Sequence, residues 1–160
     1  MVFDKLTEHF DWAEVTRSDT ASRKGIDNSL PSSLLPAVQK TATKLERVRA
    51  VLGAPIHVTS WYRCLALNAV LGSKPTSKHL LGEAVDFDAP SYGSPKAICL
   101  RLLARKEIIQ WDQLILEHGW VHISWNSIPN GEQRGQVLSL LSNGTYAMGL
   151  TKPSGESYVA

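Results

Sequence analysis

The sequence predicts an α+β fold: helices packed on one face of a small, mainly antiparallel sheet, with the other face forming a cleft. Three observations carry this. Leu34, Val38, Ala42, Leu45, Val48 and Leu52 recur at spacings of three and four, the apolar stripe of an amphipathic helix. Residues 55–60 and 83–88 are short runs of alternating or β-branched residues, the pattern of strands. Residues 113–124 sort cleanly if His118-Gly119 is a two-residue hairpin loop. Leu114, Leu116, Val121 and Ile123 then share one face, and Gln113, Ile115, Glu117, Trp120, His122 and Ser124 the other. A slip of one residue would scramble this sorting, so the sorting itself specifies the register.

The elements follow in order. Asp11 and Glu14 have capping-box spacing for one short helix, with Phe10 as the apolar residue before the cap. Residues 18–29 are polar and read as an ordered loop. The long helix opens at Ser32-Ser33, tolerates Pro36 in its first turn and stops at Gly53. In the strand at 55–60, Ile56 and Val58 point one way, His57 and Thr59 the other. A helix over 64–71 ends at Gly72, and a loop over 73–77 delivers His79 and a turn at Gly82. Next comes the strand at 83–88, with Val85 and Phe87 on one face and Ala84, Asp86 and Asp88 on the other. Ser94-Pro95 opens a helix through about residue 105. After the 113–124 hairpin, residues 136–142 and 145–148 form a second one around Asn143-Gly144, read as a type I′ turn.

A chain of 160 residues fits one domain, expected over 1–160 with a core at about 8–150 and a polar tail that frays from about 151. Hydrophobic content of 43% and charged content of 20% are those of a soluble globular protein. A net charge of +2 suits mild attraction to an anionic surface and excludes a nucleic-acid-binding footprint. No apolar run approaches the roughly 20 residues of a membrane span, so membrane insertion is not expected. The N-terminus Met1-Val2-Phe3-Asp4-Lys5 lacks a basic stretch followed by an apolar one, which predicts no signal peptide. Cys64 and Cys99 stand far apart without a C-x-x-C partner and read as free thiols. No repeat or low-complexity segment marks an appended domain, and a monomer is expected.

The chemistry concentrates in two stretches. His79 precedes Asp86 by seven positions, and His122 falls on the hairpin face that carries Glu117 and Trp120. Two histidines and a carboxylate are a ligand set for a catalytic zinc ion, which keeps a fourth position for water. Such an ion lowers the pKa of its water toward about 7 and polarises a carbonyl. A nearby carboxylate then relays the proton to the leaving group. By spacing alone, His79 with Asp86 is more often an ordinary core or surface pair. The hairpin sorting weighs the other way by placing a glutamate beside His122. Trp120 on a polar face suits a substrate wall better than bare surface.

The run Ser77, His79, Gly82, Ala84, Asp86 resembles the S-x-H-x-x-G-x-A-x-D signature of zinc peptidases that act on peptidoglycan. These include D-Ala-D-Ala carboxypeptidases, the D,D-dipeptidases of vancomycin resistance and phage endolysins. Trp120-Val121-His122 is similar to the W-x-H that supplies the last ligand, and Thr59-Ser60-Trp61-Tyr62-Arg63 with Asn68 resembles an upstream S-x-Y-R…N segment. Phe10, Glu14 and Ser18-Asp19 extend the resemblance forward. The resemblance implies one catalytic zinc ion on His79, Asp86 and His122. It implies Arg63 as a catalytic contact that grips substrate carboxylate or developing oxyanion, with Tyr62, Ser77 and Trp120 on the substrate side. Ser77, Gln113 and Ser124 are candidates for orienting the ligands. Many members place the catalytic glutamate three residues before the last histidine; that position is Gly119 here, and Glu117 lies five before. Glu117 is the expected general base, with His118 and Asp88 as rivals.

The implied function is hydrolysis of an amide bond in the peptidoglycan stem peptide, as a phage or prophage endolysin for a Gram-negative host. Such a protein is made in the host cytoplasm and reaches the wall after release. The alternatives are a non-catalytic zinc-containing structural or wall-binding module on the same scaffold, and an assembly protein without metal. The sequence leaves the bond that is cut open.

Overall fold

The computed structural model describes residues 5–128 and 131–158. Residues 1–4, on which the signal-peptide reading falls, lie outside the described residues, as do 129–130 in the loop before Gly135 and 159–160 at the end of the tail.

Two short helices open the chain. In α1 (Trp12–Thr16) the expected capping box forms: Glu14 N donates to Asp11 Oδ1 (3.1 Å) and Asp11 N to Glu14 Oε2 (2.8 Å). A second helix, α2 (Asp19–Lys24), stands where a loop was expected. Ser18 Oγ caps it by accepting from Ala21 N, and Gly25 closes it at φ 62°. Ala21 is its one buried residue, so no apolar period announced it.

A 3-10 turn (Ser32–Leu34) leads into α3 (Leu35–Leu52), whose predicted stripe is the buried one: Val38, Ala42, Leu45, Val48 and Leu52. Pro36 sits in the first turn and Gly53 ends the helix at φ 63°. Then come β1 (His57–Ser60), α4 (Leu65–Val70), a 3-10 turn (Lys78–Leu81) and β2 (Ala84–Asp88). Next are α5 (Pro95–Leu103), α6 (Lys106–Ile109) and the strands β3 (Gln113–Leu116), β4 (Val121–Ser124), β5 (Gln136–Leu140) and β6 (Tyr146–Met148). The single helix expected through about 105 stops at Leu103, and the one-turn α6 follows it, ended by Gln110 in the left-handed region at φ 50°.

The six strands form one open sheet in the order β1-β2-β4-β3-β5-β6, antiparallel except for the parallel β3–β5 pair. The β3–β4 register is the one the face sorting requires: Gln113 opposite Ser124, Leu114 opposite Ile123, Ile115 opposite His122, Leu116 opposite Val121. Glu117 N bonds Trp120 O at 3.1 Å to close the loop. Val58, Val85, Phe87, Leu114, Leu116, Val121 and Ile123 share one core with Val38, Leu45 and Val48 of α3 and Ile98 and Leu102 of α5. Each such side chain contributes about 1.5–3 kcal/mol by leaving water. Cys99 is in this core and Cys64 caps α4 through Sγ; both are free thiols.

One expectation is corrected near the C-terminus. The β5–β6 turn is not type I′, which needs positive φ at both central residues. Gly144 has φ 83° while Asn143 does not enter that region. Leu141 N instead bonds Thr145 O, leaving a three-residue loop in which Asn143 Oδ1 accepts from Thr145 N and Oγ1. In the tail, Thr151 bridges Ser157, Tyr158 N bonds Leu150 O, and Ser142 N bonds Pro153 O.

The sheet's other face carries one continuous row across every strand: Ser60, Asp86, His122, Ile115, Leu138 and Met148 stand opposite one another in turn. A bulge in β1 makes the first pairing, because the register shifts between Val58 and Ser60.

Candidate metal centre

Asp86 and His122 are direct cross-strand partners, which brings two residues 36 positions apart together (His122 Nδ1 to Asp86 Oδ1, 2.8 Å). The third residue comes from the turn before β2. Ser77 Oγ accepts from His79 N, and Gly82 ends the turn at φ 68°. A Cβ on Gly82 would lie 2.6 Å from Val38 Cγ2, so glycine is needed both for its backbone angle and for the close approach to α3. The segment after β1 then clamps the turn: Trp61 Nε1 donates to Gly82 O (2.9 Å) and Arg63 N to His79 O (3.1 Å).

The decisive contact is His79 Nδ1 to Trp61 O at 2.6 Å. A carbonyl only accepts, so Nδ1 carries the proton, and in the neutral ring Nε2 presents a lone pair. That lone pair faces Asp86 Oδ2 at 3.2 Å. Burial drives the His79 pKa below its ordinary value, against the pull of Asp86. Burial also opposes the charge on Asp86, but the polar groups around it outweigh burial and hold the carboxyl well below the usual range. A lone pair set against a carboxylate in a buried site is repulsive unless a cation lies between them. His79, Asp86 and His122 offer ligand atoms within 4.8 Å of one another. Tetrahedral donors with bonds near 2.0–2.2 Å lie about 3.4 Å apart, so the three residues are near enough for a zinc ion to draw them together.

Arg63 is pulled into the same centre. Its Nη2 meets Asp86 Oδ2 at 2.7 Å, while Nε donates to Ser60 Oγ (2.9 Å) and Nη1 to Ser73 Oγ (3.0 Å). A cleft of about 670 Å³ is lined by Asp86, Arg63 and Trp120, among others. Trp120 is 39% exposed and lines this cleft. A second cavity of about 600 Å³, beside α6 and Trp111, contains none of these residues.

Glu117 is half-buried at the end of β3. Burial raises its pKa, and repulsion from Asp86 adds to the rise. The Tyr146 hydroxyl opposes it by donating to Glu117 Oε1 at 3.2 Å. Burial and the same carboxylate push the Tyr146 hydroxyl up to about 12, so it stays a donor. Among the rivals, His118 is exposed in the hairpin turn, and Asp88 is engaged by His57 Nδ1 at 3.1 Å.

The remaining sequence candidates separate. Ser77 orders the backbone of the His79 turn. Tyr62 is buried in the core, its backbone N bonded to Val15 O and its backbone O accepting from Asn28 Nδ2. Gln113 pairs with Gln136 at 2.6 Å, and the buried Ser124 Oγ has no partner among the described residues. Sequence reasoning missed Trp61 as the group that fixes the His79 tautomer and Tyr146 as the partner of Glu117. Trp61 acts through its carbonyl, which no residue identity reveals. Tyr146 arrives through the parallel β3–β5 pairing, which no local pattern signals.

Compared with known families, the chain matches Peptidase M15 over residues 8–124, from just before α1 to the last residue of β4. All three candidate ligands lie inside this match, and Tyr146 lies beyond it. No curated relative matches the chain. Among the described residues, no helix is long and apolar enough to cross a membrane.

Proposed function

The chain belongs to the Peptidase M15 family, and from that premise we propose that it is a zinc-dependent peptidoglycan peptidase, used by a phage or prophage as an endolysin. It hydrolyses an amide bond of the stem peptide. The observation that carries the reading is the His79 tautomer: Nδ1–H is committed to Trp61 O, and Nε2 converges with Asp86 and His122 Nδ1. Zinc held there supplies a water activated near neutral pH and a Lewis acid for the scissile carbonyl.

The protein's own groups do the rest. Glu117 accepts the proton of the attacking water and returns it to the leaving nitrogen as the C–O bond forms and the C–N bond breaks. Its raised pKa makes it the stronger base, and Tyr146 holds Oε1 in place. Arg63 lines the cleft with the N–H groups that Ser60, Ser73 and Asp86 leave over, donors suited to a peptide carboxylate or developing oxyanion. Trp120 forms a wall for the peptide.

The test is digestion of purified sacculi with and without a chelator, with products read by mass spectrometry. Release of stem-peptide fragments that stops with chelator and returns with added zinc is expected. Bound zinc without any product would instead favour the non-catalytic module.

A further inference from the structure

We infer that Asn28 is a positioning residue for the metal centre, fixing from outside the segment that supplies both Arg63 and the carbonyl on His79; this rests on the zinc reading above. The segment Trp61–Cys64 joins β1 to α4 and belongs to no helix or strand. No ladder of backbone bonds therefore sets its shape. Yet the centre leans on it at three points. Trp61 O accepts from His79 Nδ1 at 2.6 Å, Arg63 N donates to His79 O at 3.1 Å, and Arg63 Nη2 meets Asp86 Oδ2 at 2.7 Å.

The Asn28 side chain takes the place of a neighbouring strand. Its Nδ2 donates to Tyr62 O (3.1 Å), and its Oδ1 accepts from Cys64 N (2.8 Å). These two groups flank Arg63, so the amide grips the chain on one edge while Arg63 N holds His79 O on the other, the alternation of a ladder-bonded chain. The second Nδ2 hydrogen goes to Thr16 O at the end of α1 (2.9 Å), which ties the segment to a helix. Asn28 is buried and is itself held in place, since Asp27 Oδ1 accepts from Ser29 N (2.9 Å) in a turn around it. Only an amide offers two donors and an acceptor in one plane here. An aspartate would keep the bond from Cys64 N but set an oxygen against two carbonyls. Releasing the segment would free the Trp61 carbonyl, which fixes the His79 tautomer, and the base of the Arg63 side chain.

The experiment compares the parent with Asn28→Asp and with Leu102→Ala, a truncation in the α5 core that leaves the clamp untouched. Zinc affinity is measured by competition with a chromophoric chelator, and the His79 ring by ¹⁵N NMR of the metal-free protein. Asn28→Asp should bind zinc about tenfold more weakly, the lower end of the range for groups that orient metal ligands. Its His79 ring should populate the second tautomer, whereas the parent holds the Nδ1–H form. Leu102→Ala should lower the unfolding midpoint and leave affinity and tautomer as they are. Asn28→Ser, which shortens the reach without adding charge, carries the same expectation if Asn28→Asp does not fold. Parent-like affinity in the Asn28 variant, or an equal loss in Leu102→Ala, overturns the inference while the zinc reading stands. A parent that binds no zinc overturns both. Weakened zinc binding in the variant of a parent that cleaves no peptide upholds the inference and defeats the peptidase reading.

Discussion

Strand β2 carries two aspartates, Asp86 and Asp88, two residues apart on one face, and each meets a histidine. His122 Nδ1 lies 2.8 Å from Asp86, and His57 Nδ1 lies 3.1 Å from Asp88. In outline the pairs are alike, but their surroundings are not. The side chains of Asp86 and His122 are 8% and 13% exposed, those of Asp88 and His57 30% and 64%. Asp86 also holds Arg63 and faces His79, while Asp88 has no second cationic partner among the described residues. An exposed histidine–aspartate pair is worth little, because water screens it and competes for both ends. A buried carboxylate surrounded by one guanidinium and two imidazoles is a site. Depth and a converging third ligand, rather than the pair itself, separate the two.

The largest expected effect breaks the inner pair. Asp86→Asn should lose zinc by elemental analysis and at least about a thousandfold in peptide hydrolysis. It should also cost roughly 3 kcal/mol in denaturant unfolding, because Arg63 is left buried without its partner. Asp88→Asn should keep both metal and rate. Next comes the proton relay: Glu117→Gln should lower kcat by about 10²–10⁴-fold with zinc retained, while His118→Ala stays within about twofold of the parent. If Asp88→Asn or His118→Ala produced the large loss instead, the base would be misassigned.

A smaller effect tests the hydroxyl on Glu117. The glutamate works ionised, and burial sets its pKa above the ordinary value. Activity should therefore fall, as pH is lowered, at a higher pH than a free glutamate would dictate. The Tyr146 hydrogen bond favours the ionised form, so Tyr146→Phe should move this acid limb to higher pH, with roughly a few-fold loss of rate. Smallest of all, His57→Ala should change unfolding stability by no more than about 0.5 kcal/mol.

Much of this architecture was legible beforehand where a period or a face sorting existed. The α3 stripe and the β3–β4 register were readable because a shift of either would expose apolar side chains. The candidate ligand trio was readable from His79, Asp86 and His122 in signature order, and the structure brings the three together. What escaped was short, polar or non-local. The helix α2 buries a single alanine, and α6 is one turn. The β5–β6 loop departed from its expected type because Asn143 spends its side chain on Thr145 rather than its backbone on positive φ. The depth that distinguishes Asp86 from Asp88 belongs to the assembled sheet and has no counterpart in the alternation of β2.

The bulge in β1 has a consequence beyond the row it completes. Since β1 is an outer strand of the sheet, its free rim would otherwise present a straight ladder of donors and acceptors to another chain. The extra residue bends that ladder while bringing Ser60 opposite Asp86 and its hydroxyl to Arg63. At the far rim, β6 is three residues long and is ended by Gly149 at φ 81°. Both rims are thus poor templates for strand addition, a form of resistance to aggregation. At the β1 rim, the irregularity that supports the centre also supplies that resistance.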